Sequence, residues 1–517
     1  QQKLVASDRA GLDQFGFSVA LSGDTVLVGA PYDDARTGSA YVFTHSGTGW
    51  TEQYQLAASG GVGDGWFGQA VALSGDTALV GAPLANAGAN EHQGSVYTFT
   101  RSGAVWSEQQ QLTGTEGAAG DYFGYAVALD GDTALVGAYG VDVDSNANQG
   151  SAYVFIWNGT AWTLQQKLLA PDGAPSDFFG CAVALSGDTA LVGASGDDDY
   201  RGAAYVFTRS GAVWSFQQKL TAAERWLNSV FGLAVALDGD TALVGAYGTD
   251  DRQGAAYLFA RSGTTWNEEE VLIAADGAAD DYFGYSVALD GDTALVGAYG
   301  GGINPTDDRG SAYIFTRSGT AWTEQAKLLA SDGGLYDLFG SAVALDGDTA
   351  LVGAPNADIS GTADRGAAYI FTRSGTSWTE QQKLVASNGL AFDFTGAAVA
   401  LEGDAALVGS PGDDNNRATV FLRSGTTWAE QGTLTASDGS DGERFGGAVA
   451  LSGDKALVGS CEDSVGLQLD QGSAYFFRAD ATPVVTSITR MGSNPTAEAL
   501  VWFNVVFSEA VTGVSMG

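Results

Sequence analysis

The sequence predicts an all-β fold: a single β-propeller of nine four-stranded blades closed by the N-terminal strand, followed by a partial β-sandwich segment. Three observations lead there. The stretch "FGYSVALDGDTALVGAYG" at 283–300 nearly copies "FGYAVALDGDTALVGAYG" at 123–140, with Ser286 against Ala126 the one change. Aligned on its "GD" turn, the pattern recurs with its leading position at Phe15, Phe67, Phe123, Phe179, Phe231, Phe283, Phe339, Thr395 and Phe445. That spacing is about 54 residues, and four strand-like segments in so long a period describe a propeller blade. The third observation is at the ends. "QQKLV" at 1–5 is a fourth strand without its first three, and the last repeat stops after "GSAYFF" at 472–477 without a fourth. The first segment therefore completes the last blade and removes the open edges of an array. A seven-blade ring with two extra repeats is the structural alternative, since four to eight blades are usual.

Within a repeat the elements follow in order. "FGYAVAL" at 123–129 places Phe123, Tyr125, Val127 and Leu129 on one face and Gly124, Ala126 and Ala128 on the other, as in a strand with one bulky and one small side. "DGDT" is a tight turn into a second strand, "ALVGA". After a variable loop, "GSAYVF" at 150–155 is the third strand, and a short Ser-Gly turn leads to the fourth, "EQQKL". Trp50, Trp106, Trp162, Trp214, Trp266, Trp322, Trp378 and Trp428 recur just after that turn, where a repeating core needs a large ring.

Composition bounds the function. Glycine is 74 of 517 residues, proline 9 and aromatics 11%, which excludes collagen-like and disordered chains and supplies a core. With 23 basic and 61 acidic residues the net charge is −38, so nucleic acid and anionic membranes are repelled and cations or neutral ligands are the natural partners. No apolar run reaches the roughly 18 residues of a membrane helix, so no membrane insertion is expected from these residues. An export signal would lie outside this numbering. Cys181 and Cys461 occupy different repeat positions and read as small buried residues rather than a bridge.

The recurring "FGxSVALxGDTALVGAP…GSAYVFTRSGTxWTEQQKLxASDG" resembles FG-GAP repeats, the blades of the integrin α-subunit β-propeller, most closely their bacterial subtype. Phe15-Gly16 with Gly29-Ala30-Pro31 is a full example. The resemblance spans the propeller, residues 1–479, and implies an extracellular or cell-surface adhesion protein of a bacterium. Thr395 replaces the phenylalanine of the eighth copy, and Ser410 and Ser460 replace the alanine of Gly-Ala, which bears on how tightly the last two blades pack. The family's calcium loop between the first two strands has shrunk here to "LSGDTA" or "LDGDTA", too short to wrap an ion, so those sites are not carried over. Asp24, Asp76, Asp132, Asp188, Asp240, Asp292, Asp348, Asp404 and Asp454 are instead expected to cap nearby backbone N–H groups. Residues 480–517, with "LVWFNVVF", resemble the opening strands of a bacterial immunoglobulin-like module and are too few for a core of their own.

Variation is concentrated in the loop joining strands two and three and in the loop between blades, which a propeller places on one face. Loops on a rigid scaffold are where binding residues concentrate. In "DVDSNAN", Asp142, Asp144, Asn146 and Asn148 alternate as hard oxygen ligands do, making calcium the candidate cofactor, although the glycine and distal glutamate of an EF-hand are missing. Asp197, Asp198 and Asp199 are a weaker version, and "DRG" at 308–310 and 364–366 reads as loop closure by local ion pairing. With two histidines and no distinct carboxylate pair, no catalytic residues are assigned and the protein is not read as an enzyme. The leading expectation is adhesion to a protein or glycan through the variable face. A subunit that assembles with copies of itself through residues 480–517 is the second, and a secreted polysaccharide-acting enzyme the third.

Overall fold

A computed structural model of the chain describes all residues except 1, 5, 7–13, 16, 23–24, 34–36, 47–48, 59–64, 87–89, 104, 115, 223–225, 302–308, 320, 388, 413–416, 436–443, 453–454, 461–472, 479–484, 492–501 and 508–517. Two compact units are present, Gln1–Phe477 and Arg478–Gly517. The first contains nine antiparallel four-stranded sheets in the order the repeat predicts. Blade 4, for example, runs Phe179–Ser186, Thr189–Ala194, Ala203–Ser210 and Val213–Leu220. In blade 9 the strands Phe445–Ser452, Lys455–Ser460 and Ser473–Arg478 are joined by Gln2–Leu4. The pairs are Gln2 with Phe476 and Leu4 with Ala474. The inner strand of blade 1, Ser18–Ser22, in turn contacts Phe445–Ser452, so the ring is closed and the seven-blade alternative falls. The second unit carries an antiparallel pair, Val485–Met491 with Trp502–Phe507.

Adjacent sheets pack face to face. Leu135, Val154 and Leu168 of blade 3 bury against Phe179, Val192, Tyr205 and Trp214 of blade 4, and the other interfaces repeat this scheme. Each large apolar side chain so buried contributes roughly 1.5–3 kcal/mol relative to exposure, which makes blade stacking the dominant stabilising contact. The described tryptophan side chains of the fourth strands are all buried, as a structural role requires.

The Phe-Gly and Gly-Ala pairs prove to be the two halves of a joint between blades. The Phe179 ring stands 5.2 Å from Tyr205 and 6.1 Å from Phe207 of its own blade. Gly180, at φ 97°, brings its carbonyl so close to Gly137 of the preceding blade that a methyl group there would run into it. Because the glycine turns the chain, period-two alternation does not run through 123–129; the inner strand of blade 3 starts at Ala126. In blade 8 the departures compensate one another: Ser410 Oγ donates to Thr395 Oγ1 at 2.8 Å, both buried. The side chain of Ser460 lies outside the described residues.

The tight-turn face carries a second repeated device. Arg101, Arg209, Arg261, Arg317, Arg373 and Arg423 each donate Nε to the turn aspartate of their own blade (Asp76, Asp188, Asp240, Asp292, Asp348, Asp404) at 2.5–2.7 Å. Their Nη1 reaches a threonine of the preceding blade, as Arg209 does Thr133 at 2.9 Å, and the guanidinium lies over the tryptophan, 5.3 Å from Trp214. These aspartates are therefore arginine partners rather than backbone caps, because the third strand brings a bidentate cation within reach. The capping role falls to another residue: Asp130, Asp238, Asp290 and Asp346 accept the glycine N–H of the next blade's turn. Asp24 and Asp454 lie outside the described residues, and Trp157 replaces the arginine beside Asp132.

Candidate binding face

On the opposite face the loop between strands two and three ends in a glycine that bridges to the next blade's Phe-Gly, as Gly150 does to Phe179 and Gly254 to Phe283. The residue before each of these phenylalanines, and before Thr395 in blade 8, is forced into left-handed backbone. Trp66, Tyr122, Phe178, Val230, Tyr282, Leu338 and Phe394 all have φ between 53° and 57°. Such conformations cost on the order of 1–3 kcal/mol each and persist only where surroundings over-determine them. Here the preceding blade's loop does so: Tyr122 N–H donates to His92 O, Phe178 N–H to Asn148 O, and Tyr282 N–H to Arg252 O at 2.8–3.1 Å.

The outcome is a set of rings set on the loop face. Tyr122 stacks on Tyr139 at 5.0 Å and 7°, Tyr125 meets Tyr139 edge-on at 4.7 Å, and Phe178 links Tyr139 to Tyr200. Blade 6 repeats the motif with Tyr282, Tyr299 and Tyr285, joined to Tyr247. Tyr125, Tyr200 and Tyr285 are exposed. Burial, then the neighbouring tyrosines, pushes the Tyr139 and Tyr299 hydroxyls up to about 12, so these rings are neutral hydrogen-bonding groups at physiological pH. Sequence reading of the loops passed over this strip. Its signal is variation at one repeat position, where Pro31, Pro83 and Pro355 alternate with Tyr139, Tyr247 and Tyr299.

Of the residues singled out as calcium ligands, Asp142 and Asp144 are exposed, and Asn146 and Asn148 half-buried. Asp142 Oδ1 accepts the Asn148 N–H at 2.8 Å, and Asn146 Nδ2 donates to Gln149 Oε1 and to Gly173 O at 3.0 and 2.9 Å. The same six-residue cap is made by Asn86 on His92 and by Asp358 on Asp364, so the position serves a neutral side chain equally well. Among the described residues no group of three or more His, Cys, Asp or Glu side chains gathers around one point. Asp197 is buried and held by Lys219 and Tyr205, while Asp198 and Asp199 take left-handed backbone at the loop tip. Among the "DRG" arginines, Arg365 Nη2 donates to Ala386 O at 2.6 Å and Arg309 Nη1 to Gly333 O at 2.5 Å, tying each loop to the next crossing. Asp308 lies outside the described residues. Cys181 is half-buried with its thiol 3.5 Å from Ser195 Oγ, and Cys461 lies outside the described residues.

Beneath the loops a buried carboxylate recurs. Asp121, Asp177, Asp281 and Asp337 each accept the N–H three residues earlier at 2.7–2.8 Å. Burial, the largest influence, raises Asp121, Asp177 and Asp337, and Asp177 reaches about 6.

The chain is thus a closed propeller with repeated arginine–aspartate pairs on the tight-turn face and varied loops with exposed rings on the other. The chain belongs to the FG-GAP repeat family, whose model matches residues 1–43, 50–99, 106–155, 162–207, 214–259, 266–315, 322–371, 378–422 and 428–477. It is similar to human Integrin alpha-D, with 25% identity over 245 residues covering 43% of this chain and 20% of that protein. Mouse Integrin alpha-2 shares 35% over 121 residues, 22% of this chain and 10% of that protein. The match thus spans a fifth or less of these relatives. Among solved structures, Sqt1 from Saccharomyces cerevisiae aligns with a TM-score of 0.46 and 12% identity, over 84% of this chain and 100% of that one.

Proposed function

We propose that the protein is an extracellular or cell-surface binding protein of a bacterium, attaching to a protein or glycan ligand through the loop face, with no catalytic role. The observation that carries this is the exposed tyrosine strip on the face where the blades differ, opposite a face occupied by repeated ion pairs. Aromatic rings with polar tips are preferred at recognition surfaces because they bury large area at small entropic cost. Family membership and the integrin relatives support an adhesive setting. Among the described residues no helix is long and apolar enough to cross a membrane. Binding of the purified chain to cells, matrix proteins and a glycan array tests the reading. Tyr125→Ala with Tyr285→Ala should weaken whichever signal appears, and silence on all three overturns it.

Assembly with copies of itself is the second reading, favoured by the two-stranded pair formed among the described residues of this unit, Val485–Met491 with Trp502–Phe507, since such a pair is marginal by itself and gains from a partner. An immunoglobulin-like module begun there would be completed by a neighbour or by further chain. Deleting 480–517 should then abolish polymers. Calcium at Asp142, Asp144, Asn146 and Asn148 is a separate proposal with its own readout: a melting temperature indifferent to chelator rejects it.

A further inference from the structure

Blade 5 breaks a device that its neighbours keep. In blade 4, Tyr205 Oη donates to Asp197 and Asp172 at 2.8 and 3.0 Å, and Lys219 Nζ binds the same two carboxylates at 2.6 and 2.8 Å above the tyrosine ring. Tyr313, Asp276 and Lys327 repeat the triad in blade 6, as Tyr369, Asp332 and Lys383 do in blade 7. In blade 5 the strand register pairs Tyr257 with Val271 where Tyr205 pairs with Lys219. Thr249 O accepts the Gly254 N–H just as Asp197 O accepts that of Gly202, so Thr249 stands at the Asp197 position. The lysine and the Asp197 carboxylate are both replaced, while Glu224, at the Asp172 position, lies outside the described residues.

A cleft of about 340 Å³ opens at this place, with Trp226, Val271 and Ile273 forming an apolar wall and Thr249, Asp250 and Gln253 a polar one. Trp226 and Ile273 are 42% and 53% exposed. Thr249 is only 6% exposed, yet its Oγ1 has no hydrogen-bond partner. A buried hydroxyl left unmatched costs about 1–3 kcal/mol, and native proteins retain few without a reason. Pockets of this size, mostly apolar with a few convergent polar groups, are the usual form of small-ligand sites.

We propose that this cleft binds a neutral sugar residue of a glycan, its C–H face on the Trp226 indole and its hydroxyls met by Thr249 Oγ1, the Asp250 carboxylate and the Gln253 amide. The assignment rests on the loop face being a binding surface and names its ligand class. A sugar ring has an apolar face and a rim of donors and acceptors, which is the division the two walls present. An anionic ligand meets Asp250 and the chain's net charge of −38. A wholly apolar side chain would leave the Thr249 hydroxyl unmet, and a cation would find one carboxylate on an exposed rim.

The test uses the whole chain and a panel of neutral hexoses, deoxyhexoses, N-acetylhexosamines and their short oligomers, read by saturation-transfer NMR and calorimetry, with uronic acids as the charged comparison. At least one neutral sugar should bind, and Trp226→Ala should weaken it tenfold or more. Thr249→Asp with Val271→Lys rebuilds the blade 4 ion pair inside the cleft and should abolish binding while the melting temperature holds or rises. Absence of any neutral-sugar binding overturns the proposal, as does a bound sugar indifferent to both variants, which would place recognition elsewhere on the loop face. A chain that holds to cells or matrix protein but to no neutral sugar sinks the cleft alone; silence everywhere sinks the broader reading as well.

Discussion

Arg417→Ala removes one half of a buried ion pair in blade 8. The Arg417 and Asp393 side chains are 1% and 0% exposed, with Nη2 3.0 Å from Oδ2. All eight other blades have serine or alanine at that position, among them Ser151, Ala203 and Ser311, and blade 8 also has Thr395 and Thr419 where its neighbours have Phe and Tyr. Removing one partner of a buried pair costs roughly 3–5 kcal/mol, because the remaining charge stays desolvated. Burial already holds the Asp393 carboxyl above its ordinary range despite the arginine. Without the guanidinium it moves further up. A carboxyl raised in the folded state keeps a proton that the unfolded chain loses near pH about 4, so stability falls as pH rises beyond that value. The deficit of the variant should therefore be largest at neutral pH and shrink toward pH about 4. Denaturant unfolding across that range, with hydrogen exchange in Arg417–Ser424 as the local readout, measures it. Adding Thr395→Phe and Thr419→Tyr should recover part of the loss by rebuilding the neighbours' aromatic packing. A deficit under about 1 kcal/mol at neutral pH, typical of an exposed pair, would refute the claim that this pair is desolvated.

Gly137→Ala should lower stability by about 1–3 kcal/mol or more through the clash with Gly180 O. Gly131→Ala, at φ 54° but in open space, should cost only about 1 kcal/mol, and equal effects on melting would refute the joint. Asp177, raised to about 6 by burial, gives stability that is full below its unfolded value near 4 and lost as pH climbs through about 6; Asp177→Asn should flatten unfolding curves taken across that window. Arg209→Lys keeps the charge but loses the fork that spans Asp188 and Thr133, so a cost of roughly 0.5–1 kcal/mol is expected, measured in a double-mutant cycle with Asp188→Asn. Removing residues 1–4 should strip exchange protection from Ser473–Arg478 and leave Arg417–Ser424 unchanged.

The ring was legible because its causes are local and repeated: the period, the alternating strands and the split of the last blade can each be read from letters. The pairing of Leu4 with Ala474 followed from counting strands. What could not be read were contacts between copies. Nothing in "LDGDTA" says that the second aspartate meets an arginine from strand three while the first reaches the next blade's turn, because both partners are set by how sheets stack. The tyrosine strip was hidden for a similar reason. Acidic loops such as Asp142–Asn148 draw the eye, yet their polar groups largely close the loops themselves, whereas Tyr125 and Tyr139 meet only after Phe-Gly reverses the chain. The cleft in blade 5 shows as an absence, Val271 for lysine and Thr249 for aspartate, and gains meaning once the triad of blade 4 is known.

The glycine joints bear on how such a chain can change in length over generations. Residues 123–140 carry two contact glycines that look in opposite directions, Gly124 toward Gly81 of one neighbour and Gly137 toward Gly180 of the other. Each copy is thus both socket and plug, and so is its near twin at 283–300. A tandem duplication of one whole period hands the lineage a part that mates with any existing neighbour, so circumference can shift by entire units with no fresh contact invented.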